Sequence, residues 1–128
     1  MNSKQGPTPR PTDAELAILR VLWDQGPCTV RRVHEELLRD RDTGYTTVLK
    51  LLQIMTEKRL VVRDDSQRSH VYWARYRQEQ TQSQLIHDLV SRAFGGSAEK
   101  LVMQALRSES VTAEELAQVR QLLDELED

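Results

Sequence analysis

Thr43-Gly44-Tyr45-Thr46-Thr47-Val48-Leu49-Lys50-Leu51-Leu52-Gln53 opens the stretch whose reading decides this fold. It continues to Leu60 and then into two strand-like runs, Val61-Val62-Arg63 and His70-Val71-Tyr72-Trp73. Asp64-Asp65-Ser66-Gln67-Arg68-Ser69 lies between them. Val48, Leu51, Leu52 and Met55 recur at i, i+3, i+4 and i+7, one stripe of a helix, and that stripe calls for a core. Thr46, Lys50, Gln53 and Glu57 recur at similar intervals on another face. Hydroxyls, an amide and an ammonium there can reach phosphates and base edges. A short helix with such a face, followed by a hairpin with a basic tip, is the pattern of a winged helix. In that arrangement the helix enters a DNA major groove and the hairpin lies along the backbone. Taken alone, the helix face reads equally well as a solvated surface; the hairpin and the helices upstream favour DNA.

Two helices precede this stretch. Thr12 and Glu15 have capping-box spacing, with Pro11 just outside. Ile18, Leu19, Leu22 and Trp23 then form an apolar face that ends at Gly26-Pro27. Thr29 is placed to cap a second helix over 30–39, with Val33, Leu37 and Leu38 directed inward. Arg31 and Arg32 occupy its first turn, where the helix dipole disfavours cations. They are candidates to face phosphates, or else a solvated pair.

Downstream, 79–94 carries Leu85, Ile86, Leu89, Val90, Ala93 and Phe94 as a wide apolar seam that Gly95-Gly96 interrupts. Ser97 can cap the next helix, with Leu101, Val102, Ala105 and Leu106 inward. Thr112 and Glu115 form a second capping box, followed by Leu116, Val119, Leu122, Leu123 and Leu126. Three short helices bury too little to stand alone. A second copy of the chain is the simplest partner, and folding back onto the N-terminal half is the alternative. The dimerisation candidates are Leu85, Leu89, Phe94, Leu101, Leu116, Val119, Leu122 and Leu126.

Charge separates the same two regions. The 128 residues sum to −2. Residues 1–77 hold 14 Lys and Arg against 10 Asp and Glu, and residues 78–128 hold 4 against 10. A basic half beside an acidic half suggests two roles in one chain. The expected organisation is a disordered tail over 1–11, a winged helix-turn-helix domain over 12–77 and a helical dimerisation domain over 78–128. The fold class is mainly α with a small β-hairpin. Mean hydropathy is −0.60 and no apolar run reaches about 18 residues, so membrane insertion is not expected. The polar N-terminus has no signal-peptide pattern, and Cys28 is the only cysteine, which suits the cytoplasm.

With these residues in order, the chain resembles the penicillinase-repressor family, the BlaI/MecI group with its CopY-type relatives. The resemblance runs from about Thr12 to Glu127. Its landmarks are Glu15 through Trp23-Asp24, Tyr45-Thr46-Thr47-Val48, Tyr72 after the wing, and Phe94-Gly95-Gly96 with Leu101-Val102. It implies a homodimeric repressor on a palindromic operator, with base contacts at the opening of the third helix and phosphate contacts from the wing. The matching positions are Tyr45, Thr46, Thr47, Lys50 and Arg68; helix phase and charge add Gln53 and Arg63. The copper-responsive branch carries C-terminal cysteines, which this chain lacks. In the β-lactam branch a membrane sensor protease triggers cleavage after the Gly-Gly break. The corresponding position is Gln104-Ala105, whose residues depart from the family's scissile pair.

Other chemistry is sparse. His34, His70 and His87 show no ligand spacing with one another or with Cys28, and read as surface residues, so no metal site and no cofactor is expected. No phosphate loop, nucleophile elbow or HExxH pattern occurs, and the terminal carboxylates read as a solvated face, so no enzyme is expected. The alternative to a DNA-binding repressor is a winged-helix protein-interaction module with incidental DNA affinity. A protein-binding groove would be apolar along Tyr45–Gln53; this face is polar and cationic.

Overall fold

The computed structural model describes residues 10–128. In chain order the elements are α1 (Asp13–Gln25), β1 (Cys28–Thr29), α2 (Val30–Leu37), α3 (Tyr45–Glu57), β2 (Val61–Asp64), β3 (Val71–Ala74), α4 (Gln78–Ala93), α5 (Ala98–Ser108) and α6 (Ala113–Glu127). The fold is mostly helical with a small antiparallel sheet, as expected of a winged helix followed by a helical region. The chain divides into two compact units at Leu85/Ile86, inside α4 and eight residues beyond the boundary that charge suggests. The expected disordered tail lies almost wholly outside the described residues.

The first unit is built on one core. Ile18, Leu19 and Leu22 from α1, Val33 and Leu37 from α2, and Val48, Leu52 and Met55 from α3 are buried together with Leu60, Val61 and Tyr72. The stripe read from the spacing of α3 is the stripe that faces inward, with Leu51 half-buried at its margin. Trp23 is also marginal; its indole Nε1 donates to the Tyr76 carbonyl at 3.0 Å and ties the chain after β3 to α1.

Helix ends follow local chemistry. Thr12 and Glu15 form the capping box, and Thr29 accepts from the Arg32 N–H. α2 is shorter than its apolar pattern suggests. It ends at Leu37, and Leu38, expected to point inward, is 48% exposed as the C-cap. α3 ends two turns after Lys50 in a left-handed residue, Arg59 at φ 64°. The Leu60 N–H donates to the Met55 carbonyl and the Arg59 N–H to that of Thr56. These paired bonds, with Leu60 packed in the same core as Met55, make a Schellman stop that turns the chain into β2.

The sheet has three strands in the order β1-β3-β2. The hairpin pairs Val62 with Trp73 and Arg63 with Tyr72; β1 adds Cys28 opposite Tyr72 and Thr29 opposite Val71. The expected hairpin is therefore present with its loop at 65–70, and β1 is a strand that the periodicity did not reveal. Cys28 belongs to the core. Burial pushes its thiol up, so it stays protonated and is a poor metal ligand.

The second unit holds the end of α4 with α5 and α6. Ser97 caps α5 through the Lys100 N–H, and Thr112 and Glu115 form the second capping box. Between α4 and α5 the Gly96 N–H donates to the Val90 carbonyl, with Gly95 at φ 58° and Gly96 at φ 85°. Both values lie where side-chain-bearing residues are strained, which explains the paired glycines. No residue of α5 or α6 is buried in the single chain. Val102, Ala105 and Leu106, expected to face inward, are exposed. No helix among the described residues is long and apolar enough to cross a membrane.

Candidate nucleic-acid interface

The candidate surface grows from the opening turns of α3. With Val48, Leu52 and Met55 committed to the core, the helical repeat leaves Thr46, Thr47, Lys50 and Gln53 facing solvent, and all four are exposed. Tyr45 begins the helix and keeps 46% of its surface open. The N-cap of α3 is Gly44, which supplies no capping side chain, so the first-turn N–H groups have no side-chain acceptor. Free N–H groups and the positive end of a helix dipole favour an anion, such as a backbone phosphate.

A concavity of about 510 Å³ joins this surface to its neighbours. It is lined by Arg31 at the first turn of α2, Tyr45 at the first turn of α3, and Arg68, Ser69 and His70 from the wing. Arg31 and Arg68, far apart in sequence, thus share one cleft. Arg32 does not: its guanidinium donates to Gln25 Oε1 at 2.9 Å and pairs with Glu36 at 3.4 Å. Arg63 is engaged within the wing, with Nε 2.7 Å from Asp65 Oδ1. A hydrogen bond with Tyr72 and the Asp65 carboxylate push the Arg63 guanidinium further up, so its charge is permanent but partly neutralised. Asp64 accepts from the Ser66 N–H at 2.9 Å, and its carboxyl is held below its usual range by that backbone bond and the Ser66 side chain. The wing therefore has a braced base in Arg63, Asp64 and Asp65, and an exposed cation at its tip in Arg68.

Two residues of this region escaped the sequence reading. Ile54 is exposed on the outer face of α3, one turn beyond Lys50; its helical phase, four residues from Lys50 and seven from Thr47, was the available signal. His34 read as a surface histidine. It is half-buried, with Nε2 2.8 Å from the Thr43 carbonyl and its ring edge-on to Tyr45. Only the fold brings these groups together.

The candidate dimerisation residues divide by exposure. Leu85, Phe94, Leu101, Leu116 and Val119 are half-buried, while Leu89, Leu122 and Leu126 are exposed. Gln104 and Ala105 lie exposed in the middle of α5, where the Gln104 carbonyl accepts from the Ser108 hydroxyl at 2.7 Å. Among the described residues no group of three His, Cys, Asp or Glu side chains could hold a metal ion.

The profile of the penicillinase repressor family matches residues 11–125, nearly the whole chain. The chain belongs to the penicillinase repressor family. It is 35% identical over 117 residues to proteins named transcriptional regulator BlaI in two Mycobacterium tuberculosis strains, CDC 1551 / Oshkosh and H37Rv. That match covers 90% of this chain and 83% of each relative. It is 22% identical to the penicillinase repressor of Bacillus licheniformis, over 91% of both chains. Penicillinase repressors are transcriptional regulators and not enzymes, and the helix-turn-helix described above is the part of the fold suited to DNA.

Proposed function

We propose that this chain is a homodimeric transcriptional repressor that binds a two-fold symmetric operator. α3 reads bases through Thr46, Thr47, Lys50 and Gln53, and Arg31, Arg68 and Tyr45 line the phosphate-facing cleft beside it. Residues 12–77 form the DNA-binding part, and 78–128 form the dimerisation part. One observation carries the assembly. The unit from Ile86 onward leaves Leu89, Val102, Met103, Leu122, Leu123 and Leu126 substantially exposed, and apolar surface on that scale needs a cover. A second copy supplies an equivalent face, and a two-fold dimer presents two recognition helices to paired half-sites.

The test combines light scattering with selection of binding sites from random duplexes. The expected result is a mass about twice 14.8 kDa and enrichment of an inverted repeat. Thr47→Ala should then cost on the order of 1–3 kcal/mol on the selected site and little on random DNA. A monomer that enriches no sequence would favour the protein-interaction module instead. The polar face of α3 speaks against that second reading.

Repression would end when the dimer is lost. A sensor protease acting near Gln104-Ala105 would separate α6 from the rest and abolish the paired binding. Because a protease needs an extended segment, α5 must open first. Inserting a specific protease site at Gln104 and cutting it should remove most operator affinity; unchanged affinity would exclude this route.

A further inference from the structure

The four helices α1, α2, α5 and α6 each begin with a hydroxyl side chain that accepts a first-turn N–H: Thr12, Thr29, Ser97 and Thr112. The helix proposed to read DNA does not, because Gly44 stands at its N-cap. A helix start without a side-chain cap frays more readily. Two contacts from α2 hold it instead, one on each side of Gly44. His34 Nε2 lies 2.8 Å from the Thr43 carbonyl. A carbonyl can only accept, so Nε2 carries the proton and donates. The same imidazole meets the Tyr45 ring edge-on, with centroids 5.8 Å apart and planes at 87°. That geometry is favourable for aromatic pairs.

We infer that His34 is a positioning residue for DNA recognition: it sets the start of α3 and the direction of the Tyr45 ring from outside the interface. Bracing from α2 substitutes for a cap and leaves the first-turn N–H groups of α3 free. A capping side chain would consume one of them. His34 is half-buried and is assigned no contact with DNA. The inference rests on the DNA-reading role of α3 proposed above. Its signature is a loss of discrimination, since random-sequence binding is dominated by phosphates and tolerates small errors in helix placement.

The experiment measures operator and random-duplex affinity for the full-length protein and its variants, with thermal unfolding of each. His34→Ala is expected to weaken operator binding about tenfold and random binding less than threefold. His34→Gln, which restores an N–H donor at similar reach, should recover most of the operator affinity. In a Tyr45→Ala background, His34→Ala should cost distinctly less than in the wild type. Equal losses on operator and random DNA, or failure of His34→Gln to recover what His34→Ala lost while both remain folded, would overturn the inference. If His34→Ala does not fold, His34→Gln and His34→Phe decide it: the donor-bearing variant should retain more discrimination than the ring-bearing one. Wild-type protein that prefers no sequence would remove the DNA-reading proposal and this one together. A discriminating wild type with an equally discriminating His34→Ala would remove this one alone.

Discussion

Lys58 Nζ lies 2.6 Å from Glu15 Oε1, which joins the C-terminal end of α3 to the first turn of α1. Glu15 is buried and also accepts the Thr12 N–H at 2.9 Å, so one carboxylate closes a helix cap and an interhelical bridge. Burial by itself would raise the Glu15 carboxyl. The Lys58 ammonium and the Thr12 backbone and hydroxyl outweigh it and hold the carboxyl below its usual range.

Lys58→Met should therefore destabilise the protein by on the order of 1–3 kcal/mol, since it strands a buried carboxylate. The sign with pH follows from the lowered carboxyl. Its contribution is complete above the ordinary glutamate range and is lost as pH falls through the folded-state value. In the variant, burial is opposed by one partner fewer, so the stability gap from wild type should narrow on acidification. Denaturant unfolding between pH 7 and pH 3 checks this; a gap constant across that range would rule out the Glu15–Lys58 pair as its source.

Gly44→Asp should separate stability from DNA binding. Gly44 has an ordinary φ of −76°, and a Cβ there would meet nothing within 4 Å. An aspartate can therefore cap α3 without strain and should raise stability by a few tenths to about 1 kcal/mol. Its carboxylate would oppose phosphates and occupy a first-turn N–H, so affinity for operator and random DNA should fall together. Thermal unfolding beside a salt titration of binding reads both effects, and undiminished DNA affinity would place the start of α3 away from the backbone.

The two wing arginines should differ. Arg68→Ala removes an exposed tip cation and should lower the salt slope of binding by about one per protomer on every sequence. Arg63 is already paired with Asp65, so Arg63→Ala should change that slope less while loosening the hairpin. The opposite order of slopes would show that Arg63 is the phosphate contact.

Leu89→Asp and Leu122→Asp test the second unit. The two side chains are 49% and 52% exposed in the single chain, so a charge there should leave the first unit folded and shift the proposed dimer toward monomer. Sedimentation at micromolar concentration measures the shift. A dimer untouched by both substitutions would move the interface off these faces.

The adjacent leucines at the end of α2 show how far sequence periodicity reaches. Leu37 and Leu38 look alike in a helical pattern, yet Leu37 enters the core while Leu38, still helical at the C-cap with its N–H on the His34 carbonyl, is 48% exposed, because it sits one residue further around the helix than the face that α1 and α3 cover. The features legible in the chain were those completed within one or two turns: the Thr12/Glu15 and Thr112/Glu115 capping boxes, the Thr29 and Ser97 caps, the inward stripe of α3 and the polar face opposite. These depend on side chains reaching their own backbone or on the helical repeat, and both are local. The exposed positions Thr46, Thr47, Lys50 and Gln53 followed directly from that repeat. Tertiary structure decided the rest. Cys28-Thr29 becomes a strand only because Tyr72 and Val71 arrive beside it. Arg31 and Arg68 meet in one cleft while Arg32 turns to Gln25 and Glu36. His34 reaches Thr43 and Tyr45 only once α2 and α3 are packed. Each of these is a choice among partners distant in the chain, and a choice made by packing leaves no periodic trace in the sequence.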